Sequence, residues 1–316
     1  MNRVFQLVVF LLLMSAVQVS AQPDTVKVGS YVISVHDINF REKEYTARFW
    51  LWFIYSNPEF DFSTQLDIPN AKTIEQPEII KDSIDGKAWA IMKMKATMKE
   101  KWNVRDFPFD EQHLKIQIEN TLFDENSLVF QPDLKGSRFD SEDALDGWII
   151  GNFKVSSGTN LYETGFGDSR PGRDAQNFST FVVELDIHRD ALGLFMKIFL
   201  GMYIAFLIAM ISFTPHPWEF EPRFGLPVGG LFAAVGNKYI IDSLLPETSA
   251  FTLVDTLHTI TFLSILLALV VSAICLKLYD SGQKELCVRV NRIGSRVVVT
   301  LYVLANIVFI GMAVWF

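Results

Sequence analysis

The chain has 316 residues, half of them apolar, and 36 acidic against 28 basic side chains leave a net charge of −8. That balance excludes a nucleic-acid binder, which needs a basic footprint, and a mean hydropathy of +0.23 is high for a soluble protein. Cysteine occurs twice, at Cys275 and Cys287, so no disulfide framework is available to the first two thirds.

The start reads as an export signal. Asn2-Arg3 forms a short basic region, VFQLVVFLLLMSAV an apolar core, and Val19-Ser20-Ala21 a small-residue cleavage site. The expected signal peptide is 1–21, with the mature chain starting near Gln22 outside the cytoplasm.

From Gln22 to about Arg189 alternation dominates. Tyr31, Ile33 and Val35 alternate with Val32, Ser34 and His36; Tyr45, Ala47, Phe49 and Leu51 with Thr46, Arg48, Trp50 and Trp52. Met92, Met94, Ala96 and Met98 face away from Lys93, Lys95 and Lys99, and Phe181, Val183, Leu185 and Ile187 from Glu184, Asp186 and His188. Turn signals stand at SNP (56–58), DG (85–86), SSG (156–158) and RPG (170–172). The pattern predicts an extracellular or periplasmic all-β antiparallel sandwich over 22–190.

One stretch in it is unusual. RDFPFDEQHLKIQIEN (105–120) sets two phenylalanines around a proline ahead of a strand, with Leu114, Ile116 and Ile118 facing one way and His113, Lys115, Gln117 and Glu119 the other. Exposed loop tips normally carry Gly, Asn, Asp or Ser, so this tip is expected to be buried against something.

After Arg189 the solvent changes, and 191–316 reads as a transmembrane domain. The segments 191–213, 253–276 and 295–316 are each long enough to span about 30 Å of hydrocarbon as helices. The segment 223–245 is equally long but holds Asn237, Lys238, Asp242, four glycines and Pro227. Polar groups of that kind are costly against lipid, so a crossing there must line something wet or sit inside a bundle. Four crossings put both mature ends outside. Lys277, Lys284, Arg289 and Arg292, against Asp280 and Glu285, mark the link between the third and fourth spans as cytoplasmic. The expected location is the plasma (inner) membrane, with the bilayer as a partner.

An exported sandwich fused to four helices, the second amphipathic, resembles the pentameric ligand-gated ion channels, or Cys-loop receptors. The likeness covers nearly all of the mature chain. Phe107-Pro108-Phe109-Asp110 with Gln112 is similar to the family's signature loop, Trp148 to a tryptophan opening a late strand, and Arg189 to an arginine before the first span. Arg223, heading a helix closed by Leu245-Pro246, is similar to the start of the pore helix. The family's loop cysteines would fall at Glu100 and Leu114, so that disulfide is absent, as in bacterial members. The tryptophan-x-aspartate that would fall near Tyr55 and Asn57 is also missing.

The resemblance implies a homopentamer with a pore lined by Gly225, Gly229, Phe232, Gly236, Tyr239 and Ser243. Their spacing of four and three makes one helical stripe. A Phe232 ring would close it by dewetting, and a close-packed helix seam is the alternative use of such small residues. Glu221 as an acidic mouth favours cations, while PRFGL is close to the P-A-R-x-G-L start of anion channels; cations are the reading taken. Coupling is assigned to Phe107, Pro108, Phe109, Asp110, Arg189 and Pro246, with Glu42 or Glu44 completing the charge cluster. Ligand contacts are expected between neighbouring sandwiches from Glu78, Phe123, Asp124, Tyr162 and Phe166, for an unknown small molecule; protons, through the carboxylates and His36, His113 and His188, are the alternative. Permeant ions complete the partners. The sequence contains no P-loop, H-E-x-x-H, G-x-S-x-G or metal-spaced Cys/His set, so no enzyme, cofactor or metal is expected. A pentameric receptor that senses without conducting is the rival reading.

Overall fold

The computed structural model describes residues 22–315 apart from 76, 141–144, 146 and 169–172. The expected signal peptide and the RPG turn lie outside the described residues.

Among them are eleven strands: β1 (Asp24–Asn39), β2 (Glu44–Tyr55), β3 (Leu66–Asp67), β4 (Ala71–Ile74), β5 (Glu78–Ile84), β6 (Lys87–Lys99), β7 (Glu111–Asn120), β8 (Leu128–Pro132), β9 (Arg138–Phe139), β10 (Trp148–Tyr162) and β11 (Gln176–Arg189). They form a seven-stranded sheet in the order β4-β6-β2-β1-β8, with β5 on β6 and β9 on β1, and a four-stranded sheet β10-β11-β7-β3. The alternating apolar sets of β2, β6, β7 and β11 do what their period requires, whereas in β1 an irregularity between Val32 and Ser34 leaves Tyr31 and Ile33 half-buried and turns Val32, Ser34 and Val35 inward. Phe49, Leu51 and Phe53 of β2 and Met92 and Met94 of β6 share one core with Leu114, Ile116 and Ile118 of β7 and Phe181 and Val183 of β11. Asp85 and Gly86, both at positive φ, make the tight turn between β5 and β6.

Three further features depart from the sequence reading. The sandwich is not wholly antiparallel, because β8 and β9 join β1 in parallel. The chain crosses between sheets after β7 and comes back beside the start of β1, a return no hairpin could make. Ser156-Ser157-Gly158 is no turn but lies inside β10, opposite Phe181, Val182 and Thr180. β10 is an edge strand, where a glycine sacrifices little packing. Glu119, expected on the solvent face, is buried, because the ends of β10 and β11 supply donors above it.

Four helices follow: α1 (Ala191–Ile211), α2 (Phe220–Asp242), α3 (Leu253–Asp280) and α4 (Lys284–Trp315). All four are long and apolar enough to cross a membrane. Thr252 caps α3 in a capping box with Asp255. α2 continues through Pro227 without a break. α4 starts at 284 rather than 295, so Arg289, Arg292 and Arg296 lie on the helix itself. Hydropathy marks only the lipid-length part of a helix that runs on into polar sequence.

Candidate functional site

The greasy loop before β7 is buried where the two parts of the chain meet. Phe107 and Val104 join Phe40 of the first hairpin, Phe195, Phe199 and Met202 of α1, and Ile241, Leu245, Leu253 and Val254 around the ends of α2 and α3 in one apolar cluster. Phe109 packs on Phe195 at 5.5 Å. The Leu253 N–H donates to the Arg105 carbonyl at 2.8 Å, tying the loop to the first turn of α3. Pro108 and Pro246 are both buried at this seam.

At its centre Arg189 Nε donates to Asp110 Oδ1 at 2.8 Å, with side-chain exposures of 11 % and 1 %. Three rings surround the guanidinium: Trp148 at 4.1 Å, Phe40 at 4.4 Å and Phe107 at 4.9 Å. Such faces attract a cation that water cannot reach. Burial pulls the Arg189 pKa down, against the opposing pull of Asp110. The other Asp110 oxygen accepts from Gln112 Nε2 at 2.6 Å.

Glu42 and Glu44 do not complete this cluster, correcting the sequence reading. Lys72 Nζ takes the Glu44 carboxylate and the Glu42 carbonyl, both at 2.6 Å. The hairpin tip instead contributes Phe40, which stacks on Trp102 at 4.6 Å. Phe40 and Trp102 escaped the sequence reading, although Phe40 sits on a hairpin tip for the same reason Phe107 sits on its loop. Gln112 also clamps the loop shut: its Oε1 accepts from the Asn103 N–H at 3.0 Å and its Nε2 donates to the Asn103 carbonyl at 2.8 Å. This closes much of the segment between Glu100 and Leu114 without a covalent link.

α2 has two faces. Arg223, Pro227, Gly230, Ala234 and Ile241 are buried against the rest of the bundle. Gly225, Gly229, Phe232, Gly236, Tyr239 and Ser243 all lie on the opposite, exposed face, with Phe232 72 % and Tyr239 78 % exposed. The glycines divide in the same way. A Cβ on Gly230 would meet the Ala205 carbonyl oxygen at 2.6 Å, whereas one on Gly225, Gly229 or Gly236 would meet nothing within 4 Å. Within the subunit the helix seam therefore runs through Gly230, not through the stripe. Glu221 is exposed in the first turn of α2.

The polar residues that made this segment unusual belong to the packed side. Asn237 Nδ2 donates to the Ile198 carbonyl and its Oδ1 lies 3.1 Å from His258 Nε2. Lys238 Nζ is held by Asp242 at 2.6 Å and Asp255 at 2.8 Å. Arg223 reaches Asn291 Oδ1 at 2.7 Å and Ser272 Oγ at 3.3 Å. Bundle contacts hold these groups, although Arg223 Nε and Nη1 are buried without a hydrogen-bond partner, and the exposed stripe consists of other residues.

At the far end of the sandwich, Tyr162 and Phe166 come together with Phe178, at centroid distances of 5.5, 5.7 and 6.5 Å. Beneath the rings, Glu119 accepts from Asn160 Nδ2 at 2.9 Å, the Tyr162 hydroxyl at 2.9 Å and the Thr180 hydroxyl at 3.0 Å. Burial, with the Glu119 hydrogen bond and charge next, raises the Tyr162 phenol to about 12. Phe178 and Glu119 were not singled out in the sequence. Phe123 packs edge-on against Phe60 at 4.9 Å, and Asp124 pairs with Arg173 at 3.1 Å. Glu78 lies apart from these, on β5 of the other sheet.

Fold and span count together define a multi-pass membrane protein with a β-sandwich ahead of its four helices. No protein-family model matches the chain, and no curated protein does.

Proposed function

We propose that the protein is a pentameric ligand-gated ion channel, in which a ligand bound between neighbouring sandwiches gates a pore lined by α2. The two-faced α2 carries this reading. A helix that buries one stripe in its own bundle and leaves the opposite one, with two large aromatics, uncovered needs an environment for the second stripe. A five-fold ring gives it one: Gly225, Gly229, Phe232, Gly236, Tyr239 and Ser243 facing a shared aqueous axis, with Phe232 as the apolar constriction. Glu221 at the mouth favours cations.

The junction supports transmission. Asp110 and Arg189 join the loop before β7 to the strand entering α1, inside the cluster that also holds the ends of α2 and α3. Movement of the sandwich has a packed, charge-locked route to the pore helix. The ligand site divides in the way a head-to-tail ring requires. Tyr162, Phe166 and Asp124 lie around the β10–β11 turn, and β10 is one edge of its sheet; Glu78 is on β5, outermost on the other flank, where Lys81 pairs with Asp61. Neighbouring subunits would bring the two flanks face to face, and an aromatic site with carboxylates suits a cationic ligand.

The test is imaging of the purified particle, followed by agonist-screened and pH-jump recording in bilayers. Five copies closed around an α2-lined axis, with ligand-evoked current, support the proposal. Copies that do not close around a central hole would refute it. A ligand that moves the sandwich without current replaces the channel with a non-conducting sensor of the same build.

A further inference from the structure

The outer face of the four-stranded sheet carries a second cluster. β7 and β11 pair with His113 opposite Asp186 and Glu111 opposite His188. Alternation sends Gln112, Leu114, Leu185 and Ile187 inward, so Glu111, His113, Asp186 and His188 share the outer face. Acid and imidazole therefore alternate around a square of two adjacent rungs. One ligand atom each from Glu111, His113 and Asp186 lie within 4.8 Å of one another, and His113 Nδ1 is 2.7 Å from Asp186 Oδ1.

The next rung shows how this ladder handles charge alone: Lys115 faces Glu184, with Nζ 3.0 Å from Oε1. The rungs below it contain no lysine or arginine. They gather two carboxylates and two imidazoles, all of them metal-ligand types. Nitrogen and oxygen ligands on a tetrahedral zinc ion lie about 3.4 Å from one another, given bonds of about 2.0–2.2 Å. Glu111 and His113 are exposed, so rotation of these two side chains is the adjustment that the site would need. Mixed imidazole and carboxylate donors suit zinc and its neighbours rather than magnesium or calcium.

We propose that Glu111, His113 and Asp186, joined by His188 across the rung, bind a divalent transition-metal cation of the zinc type. The ion would clasp β7 to β11 directly beside the junction, because Glu111 follows Asp110 and His188 precedes Arg189. Metal occupancy then stiffens the two strand ends that hold the buried pair.

The experiment uses the full chain in detergent, stripped with EDTA and titrated calorimetrically with zinc chloride or magnesium chloride. One zinc per chain is expected to bind, with no magnesium competition and a raised melting temperature. His113→Ala and Asp186→Asn should each weaken zinc at least about tenfold, since even loss of a group that only supports a metal ligand costs that much. An unchanged elution volume checks that each variant is folded, and His113→Gln, closer in size, replaces the alanine variant if it is not. Equal zinc affinity in the wild type and the folded variants, or no saturable binding in the micromolar range, overturns the site.

Discussion

Asp110 and Arg189 stand 79 positions apart in the chain and meet at 2.8 Å, and the salt bridge they form is almost wholly removed from water. Removing one partner strands a buried charge, which costs about 3–5 kcal/mol. Asp110→Asn and Arg189→Met are each expected to lower unfolding stability by that order. The double variant should lose clearly less than the sum, because neither charge is then left alone. A double-mutant cycle by chemical denaturation checks this; simple additivity would mean that the two side chains do not depend on each other.

Gln112 is expected to matter beyond its size. Truncation in Gln112→Ala leaves the Asn103 N–H and carbonyl and one Asp110 oxygen without their present partner. A loss of about 1–3 kcal/mol follows chiefly from the buried Asp110 oxygen, the Asn103 groups being open to water, and faster proteolysis within the loop should accompany it. Thermal melts and limited digestion read both effects.

The glycines of α2 separate packing from lining. Gly230→Ala places a Cβ 2.6 Å from the Ala205 carbonyl oxygen, and overpacking of that kind costs about 1–3 kcal/mol. Gly229→Ala, one position away, meets open space and should be neutral or stabilising by up to about 1 kcal/mol, alanine being the better helix former. Equal destabilisation in detergent melts would place both residues in the same seam.

Phe232→Ala tests the constriction. On the channel reading it should raise the resting leak or shift the agonist concentration for half-activation, leaving assembly unchanged. Single-channel recording decides; an unaltered open probability in a conducting channel removes Phe232 from the gate.

Glu100 offers a pH test. Burial raises its pKa, with the Lys101 N–H and the Lys115 charge opposing. A carboxyl raised on folding favours the native state at low pH, and that contribution disappears as pH climbs from the usual glutamate value through the raised one. Glu100→Gln should therefore be relatively more stable at pH 7 than at about pH 3.5, where both states are protonated. Paired thermal melts at the two pH values check the sign, and a difference that narrows as pH rises contradicts it.

Much of the architecture was legible because it repeats locally. Alternation in β2, β6, β7 and β11 named the inward residues correctly, and a tip as greasy as Phe107-Pro108-Phe109 had to be covered by something. The α2 stripe came from the register that the family resemblance implies, and its spacing in threes and fours only made it one helical face. Asn237 and Lys238 were legible as a problem but not as a solution, since His258 and Asp255 lie on another helix. The burial of Glu119 was hidden in the same way: its period assigns it to solvent, and only Asn160, Tyr162 and Thr180, brought over it by β10 and β11, make an inner position tolerable for a carboxylate.

By itself the sequence determined the change of solvent near Arg189, the inward apolar sets of β2, β6, β7 and β11 and the helix count, because period and hydropathy are properties of neighbours along one chain. Only the tertiary structure decided that β8 and β9 run parallel to β1 and that three rings, rather than Glu42 or Glu44, complete the surroundings of the Arg189–Asp110 pair. It likewise decided that the α2 seam passes through Gly230. Those outcomes depend on which distant groups arrive at the same place, and a desolvated charge or an unpaired donor accepts whichever partner the fold delivers.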